Sequence, residues 1–105
     1  MDELVRRRIP ILVLTQEHCA FCEQARDILE RLSREYPVDL STLDMGSPEG
    51  QQLATQGGLL FPPGILIDGE PFSYGRLSER KLRRELDRRW KQSSLASTHL
   101  THVPT

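Results

Sequence analysis

The chain has 105 residues, enough for one packed domain and too few to divide into two. Hydrophobic residues make up 37% and charged residues 28%, with a formal net charge of -1. That balance excludes a disordered chain of low hydrophobicity and high charge, and it leaves no global electrostatic drive toward nucleic acid or a membrane surface.

Arg6, Arg7 and Arg8 precede an apolar run at residues 9–14. The run is far shorter than a signal-peptide core and meets no small-residue cleavage site, and no segment approaches the length of a membrane span. The expectation is a cytoplasmic protein with an N-terminal arm at 1–8, a domain at 9–92 and a disordered tail at 93–105. Ile9, Ile11, Leu12, Val13 and Leu14 form a continuous apolar strand of the kind buried on both faces of a sheet. A polar connection at 15–18 follows. Ala25, Ile28, Leu29, Leu32 and Tyr36 then recur at helical spacing until Pro37, which predicts a first helix opening close to Cys19.

Residues 38–43 are predicted as a second strand, parallel to the first, because strand, helix and strand in this length make a right-handed crossover. Ser47, Pro48 and Glu49 combine an N-cap hydroxyl, a proline at the first helical position and an acid in the first turn; a short helix is expected from there to about Gln56, stopped by Gly57 and Gly58. Ile65, Leu66 and Ile67, the turn pair Asp68-Gly69, and residues 70–73 predict a hairpin. Ser78 caps a last helix, with Leu77 and Leu82 placed as a hydrophobic staple. Leu82, Leu86 and Trp90 make its apolar stripe. Arg80, Lys81, Arg83, Arg84, Arg88, Arg89 and Lys91 fall on its solvated sides, which makes them an outer surface rather than a docking site for an acidic partner.

The chemistry sits in Cys19-Ala20-Phe21-Cys22, where a buried strand hands over to a helix. Unpaired N–H groups and the positive end of the macrodipole stabilise a thiolate there, so the Cys19 thiol is expected below the reference value of about 8.5 and is the candidate nucleophile. Cys22 lies one turn on, within the roughly 4.4–6.8 Å between Cα atoms that a disulfide spans, and is the candidate resolving thiol.

Strand, CxxC, helix, strand, short helix, proline before a hairpin and final helix together resemble the glutaredoxin-like branch of the thioredoxin superfamily, from Ile9 to about Trp90. The resemblance implies a three-layer α/β/α fold with a four-stranded mixed sheet of order 2-1-3-4 and three helices. It also implies a cis-proline before the Asp-Gly hairpin. In Pro62-Pro63-Gly64-Ile65-Leu66-Ile67-Asp68-Gly69 either proline is available, and spacing to Asp68 favours Pro63. In the family the residue before that proline binds an extended substrate or glutathione, which brings Pro62 and Pro63 into the candidate substrate site. Phe21 and Tyr74 are expected to form an apolar rim for a partner's disulfide loop. His18 stands either beside the thiolate as a helpful imidazolium or as a solvated loop residue; Arg26, one turn after Cys22, is read as an exposed partner for neighbouring acids rather than as a thiolate stabiliser, and Trp90 as core.

This sequence departs from the family's pattern at Ala20-Phe21 in place of Pro-Tyr, at Gln16 in place of a lysine that holds glutathione's carboxylate, and at Ser73-Tyr74-Gly75 in place of a glycine pair. A Pro62 that precedes a cis-proline also has no N–H to donate. The activity implied is reduction of protein or low-molecular-weight disulfides by a monomer with no bound cofactor. The electron source is left open between glutathione, another small thiol and a thioredoxin-type reductase. Two other classes stay open: a metal or iron–sulfur carrier using Cys19, with Cys22, His18, His99 and His102 as further ligand types, and a non-catalytic domain docking through the basic last helix.

Overall fold

The structure is a computed structural model that describes residues 8–102, with side chains described to residue 91. Residues 1–7 of the expected arm and 103–105 of the expected tail lie outside the described residues. Seven elements follow in chain order: β1 (Ile9–Thr15), α1 (Ala20–Leu32), β2 (Val38–Asp44), α2 (Pro48–Gly57), β3 (Gly64–Ile67), β4 (Glu70–Tyr74) and α3 (Glu79–His102). The sheet has the order β2-β1-β3-β4, with β1 and β2 parallel and the β1–β3 and β3–β4 pairs antiparallel. The four-stranded mixed sheet of order 2-1-3-4 with three helices is therefore the observed fold.

Period-two alternation sorts β1 onto two cores. Ile9, Ile11 and Val13 pack with Ile65 and Ile67 against Ala25, Leu29 and Leu32 of α1 and Leu82 and Leu86 of α3. Leu14 joins Leu59 and Leu66 on the opposite face, where Leu12, Leu43, Met45 and Leu53 pack and α2 forms the cover. The result is three layers. Pro10 interrupts neither ladder badly: β3 pairs only from Ile11 onward, and the Pro10 carbonyl still accepts from Asp68 N–H at 2.9 Å.

Helix ends follow their local chemistry. Ser47 caps α2 by accepting the Gly50 N–H at 3.0 Å, and Gly58 closes it at φ 67. Ser78 accepts the Lys81 N–H at 3.2 Å, and Leu77 and Leu82 are buried in the same cluster, as the staple requires. Asp68 and Gly69 take φ 54 and 78, the backbone of a two-residue hairpin turn.

Three expectations need correction. The first helix ends at Leu32, short of Tyr36, because the residue before Pro37 is pushed out of the helical region. Tyr36 is still buried, donating its hydroxyl to Asp87 at 2.7 Å. Trp90 is not core. It is 43% exposed and lies edge-on to Tyr36 with centroids 5.6 Å apart. α3 continues to His102, past the point where a tail was expected, since no Gly or Pro stands between Gly75 and Pro104 to stop it.

The basic character of α3 is partly absorbed by its own domain. Arg83 holds Glu35 in a two-bonded pair at 2.6 and 2.9 Å, and Arg89 bridges Asp68, Glu70 and Glu85 at 3.0, 2.7 and 2.6 Å. Arg88 pairs with Glu85 as well. Arg89 thus pins the β3–β4 turn to the last helix. No helix among the described residues is long and apolar enough to cross a membrane.

Candidate active site

β1 ends and β3 begins at the same edge of the sheet, since Leu14 pairs with Gly64. The loop after β1 and the loop before β3 therefore meet there. The first loop reaches the helix through His18, a non-glycine residue at φ 55, which turns the chain so that Cys19 enters extended at φ -120, ψ 103. Cys19 is the N-cap of α1. Its Sγ accepts the Cys22 N–H at 3.1 Å, filling the place a serine or aspartate oxygen takes at other helices.

Cys19 and Cys22 are joined as a disulfide with Cα atoms 5.2 Å apart. The two differ in access. Cys19 is partly exposed, whereas Cys22 is 7% exposed and belongs to the buried face of α1 with Ala25 and Leu29. One sulfur is therefore open to an incoming molecule and the other is held behind it. Glu23 in the first turn favours the helix dipole and at the same time opposes negative charge on the neighbouring sulfur.

The second loop carries the Pro62-Pro63 peptide bond in the cis form, so Pro63 is the cis residue that spacing to Asp68 favoured. Its carbonyl and that of Phe61 both accept the Gly75 N–H, at 3.0 and 3.2 Å, which ties this loop to the end of β4. Phe61 packs on Tyr74 with centroids 6.0 Å apart. Phe21, Phe61 and Tyr74 are 45%, 62% and 42% exposed, and Leu60 is 67% exposed. The sequence offers Phe61 as a substrate contact only if Pro62 were the cis residue, and it does not single out Leu60, although two large apolar residues just before a Pro-Pro pair are a readable sign of an exposed loop.

On the other side of the disulfide, between α1 and the β1–β2 strands, lies a cleft of about 480 Å³ lined by both cysteines. Val13, Leu29 and Leu40 give it an apolar floor, and Thr15 and Thr42 line its strand side. His18 and Arg26 reach it from the loop and from α1. Arg26, expected to pair with neighbouring acids, makes no hydrogen bond or ion pair among the described residues. Among the described residues no group of three or more His, Cys, Asp or Glu could hold a metal ion; the side chains of His99 and His102 lie outside that description.

No protein-family model matches the sequence. Proteins of unknown function from Mycobacterium tuberculosis and Mycobacterium bovis are 31% identical to it over 84 residues, covering 77% of this chain and 86% of theirs. Among solved structures, a thioredoxin variant from Halobacterium salinarum superimposes with a TM-score of 0.59 at 20% identity, over 82% of this chain and 79% of that one. The thioredoxin of Fasciola hepatica gives 0.58 at 21% identity, over 77% and 80%. The chain has a thioredoxin-like fold. It shares a family with the mycobacterial proteins, and its cysteine pair stands at the mouth of the first helix of a thioredoxin-like fold.

Proposed function

We propose that this chain is a dithiol thiol–disulfide oxidoreductase of glutaredoxin type, reducing protein or low-molecular-weight disulfides through Cys19 and Cys22. The observation that carries the reading is the cap: an accessible sulfur occupies the N-cap of α1 and accepts a backbone N–H, with a second, buried sulfur bonded to it one turn on. In the reduced protein that same N–H and the helix dipole favour Cys19 as a thiolate.

The cycle runs in two exchanges. The Cys19 thiolate attacks a substrate disulfide, forming a Cys19–substrate bond and releasing one substrate thiolate. The Cys22 thiolate then attacks Cys19 Sγ, closing the internal disulfide and releasing the second. An external thiol or a reductase returns the pair to the dithiol. On this reading exposed Phe21, Phe61 and Tyr74 serve as apolar contacts for a disulfide-bearing loop of a protein substrate, and His18, Pro62 and Pro63 complete the substrate site. The protein works as a cytoplasmic monomer without a bound cofactor, and neither nucleic acid nor membrane is a partner.

An insulin-reduction assay tests this, run with a thioredoxin-type reductase in one arm and glutathione with its reductase in the other. Turnover in either arm that Cys19→Ser abolishes, together with trapped mixed disulfides in Cys22→Ser, supports the reading. Full turnover by Cys19→Ser refutes it.

A further inference from the structure

Cys22 sits in a setting that disfavours its charged form. It is buried, it lines the cleft together with the apolar side chains of Val13, Leu29 and Leu40, and no polar or charged residue is buried among the described residues to act as an internal base. Apolar surroundings push a thiol toward its neutral form. On the function proposed above, on which this inference rests, Cys22 must nevertheless attack as a thiolate in the second exchange and depart as a thiolate when the disulfide is reset.

The ionisable groups lining the cleft can be named element by element. α1 contributes Glu23, Arg26 and Glu30, the loop before it contributes Glu17 and His18, and the strands contribute only Val13, Thr15, Leu40 and Thr42, none of which titrates. Three carboxylates oppose a negative sulfur. Arg26 is the one permanent cation among them. It lies four residues after Cys22, the spacing that puts two side chains on one face of a helix, and its guanidinium is not tied to Glu23 or Glu30.

We propose that Arg26 is a positioning residue for the second exchange, holding the Cys22 sulfur as a thiolate from one turn below. The step it serves is balanced: Cys22 S⁻ forms a bond to Cys19 Sγ, the bond from Cys19 Sγ to the substrate sulfur breaks, and the substrate thiolate leaves with the electron pair and takes a proton from solvent. Arg26 itself is neither oxidised nor reduced. Its removal leaves Cys22 facing carboxylates, with His18 as the one other basic group.

The test follows both exchanges in one trace. Reduced protein is mixed in stopped flow with 4,4′-dithiodipyridine, a neutral disulfide that releases one chromophoric thiopyridone as Cys19 is capped and a second as Cys22 resolves it; Cys22→Ser, giving only the first release, assigns the phases. Arg26→Gln is expected to slow the second release about three- to tenfold at pH 7 and move its pH midpoint upward, because a shift of one unit is a tenfold change in thiolate fraction. The first release keeps its rate, and Arg26→Lys recovers most of the loss. The proposal is overturned by a second phase unchanged in rate and midpoint, by equal slowing of both phases, or by no recovery with lysine. A wild-type protein releasing no thiopyridone at all would instead remove the dithiol reading, and Arg26's role with it.

Discussion

Replacing Gly50 with alanine probes how tightly α2 is set against the strand end that shapes this edge of the sheet. A Cβ built at Gly50 would stand 2.1 Å from the Asp44 carbonyl oxygen, 2.9 Å from Met45 Cα and 3.0 Å from Asp44 C, all backbone atoms. No side chain can rotate away, so the N-terminal turn of α2 has to lift by on the order of 1 Å, the shortfall from ordinary van der Waals contact. Lifting it pulls Gly50 N–H from Ser47 Oγ, a cap of about 1 kcal/mol, and loosens Met45 from the Leu14–Leu59–Leu66 cluster. Overpacking against fixed backbone adds about 3 kcal/mol, and the better helix propensity of alanine returns about 1. The net loss is about 3 kcal/mol, a fall in melting temperature of roughly 10–20 °C for a domain of this size. Urea titration of the oxidised protein followed by far-UV circular dichroism measures it. A Gly50→Ala protein as stable as the wild type, or more stable by the propensity term alone, would refute the packing argument.

Arg89→Met should cost about 1–2 kcal/mol, because it leaves Asp68, Glu70 and Glu85 without the guanidinium that joins the hairpin turn to α3. The Glu85 carboxyl is held below its ordinary value of 4.5 first by a hydrogen bond from Arg88, with burial opposing and Arg89 adding to the effect. A carboxyl lowered in the folded state stabilises above its unfolded value and loses that contribution as pH falls through the folded one, so the wild type should weaken below about pH 4.5 and Arg89→Met should weaken less steeply there; parallel urea midpoints at pH 7 and pH 3.5 for the two proteins would contradict this. Phe61→Ser should slow reduction of a protein disulfide about fivefold, the effect of losing about 1 kcal/mol at an exposed aromatic contact, while leaving reduction of bis(2-hydroxyethyl) disulfide unchanged. Equal loss on both substrates would mean that Phe61 supports the site rather than docking a chain.

What was legible in the sequence is what local chemistry dictates. The order of elements, the strand-to-helix handover at Cys19, the Ser47 and Ser78 caps and the Asp68-Gly69 turn all depend on residues close in sequence, and each stands as expected, as does Pro63 as the cis residue, which the family resemblance implied and local chemistry did not. Periodicity misled where it outran its helix: Tyr36 continues the apolar spacing of α1 but lies beyond Ser33, where the approach of Pro37 unwinds the chain, and Trp90 continues the stripe of α3 past the point where the sheet has anything left to cover. The cleft beside β2 was not visible at all. It is assembled from the β1–β2 strands and one face of α1, and the meeting of Arg26 with both cysteines over Leu40 and Thr42 is a product of the parallel crossover, which residue spacing does not encode.

The central claim is that the sulfur capping the first helix is unusually acidic, and alkylation measures it directly. Reduced Cys22→Ser protein, in which Cys19 is the remaining thiol, is treated with iodoacetamide across a pH series. The account predicts a single titration with its midpoint at least one unit below the reference of about 8.5, lost when the protein is unfolded in urea. A midpoint at or above the reference in the folded protein would contradict it.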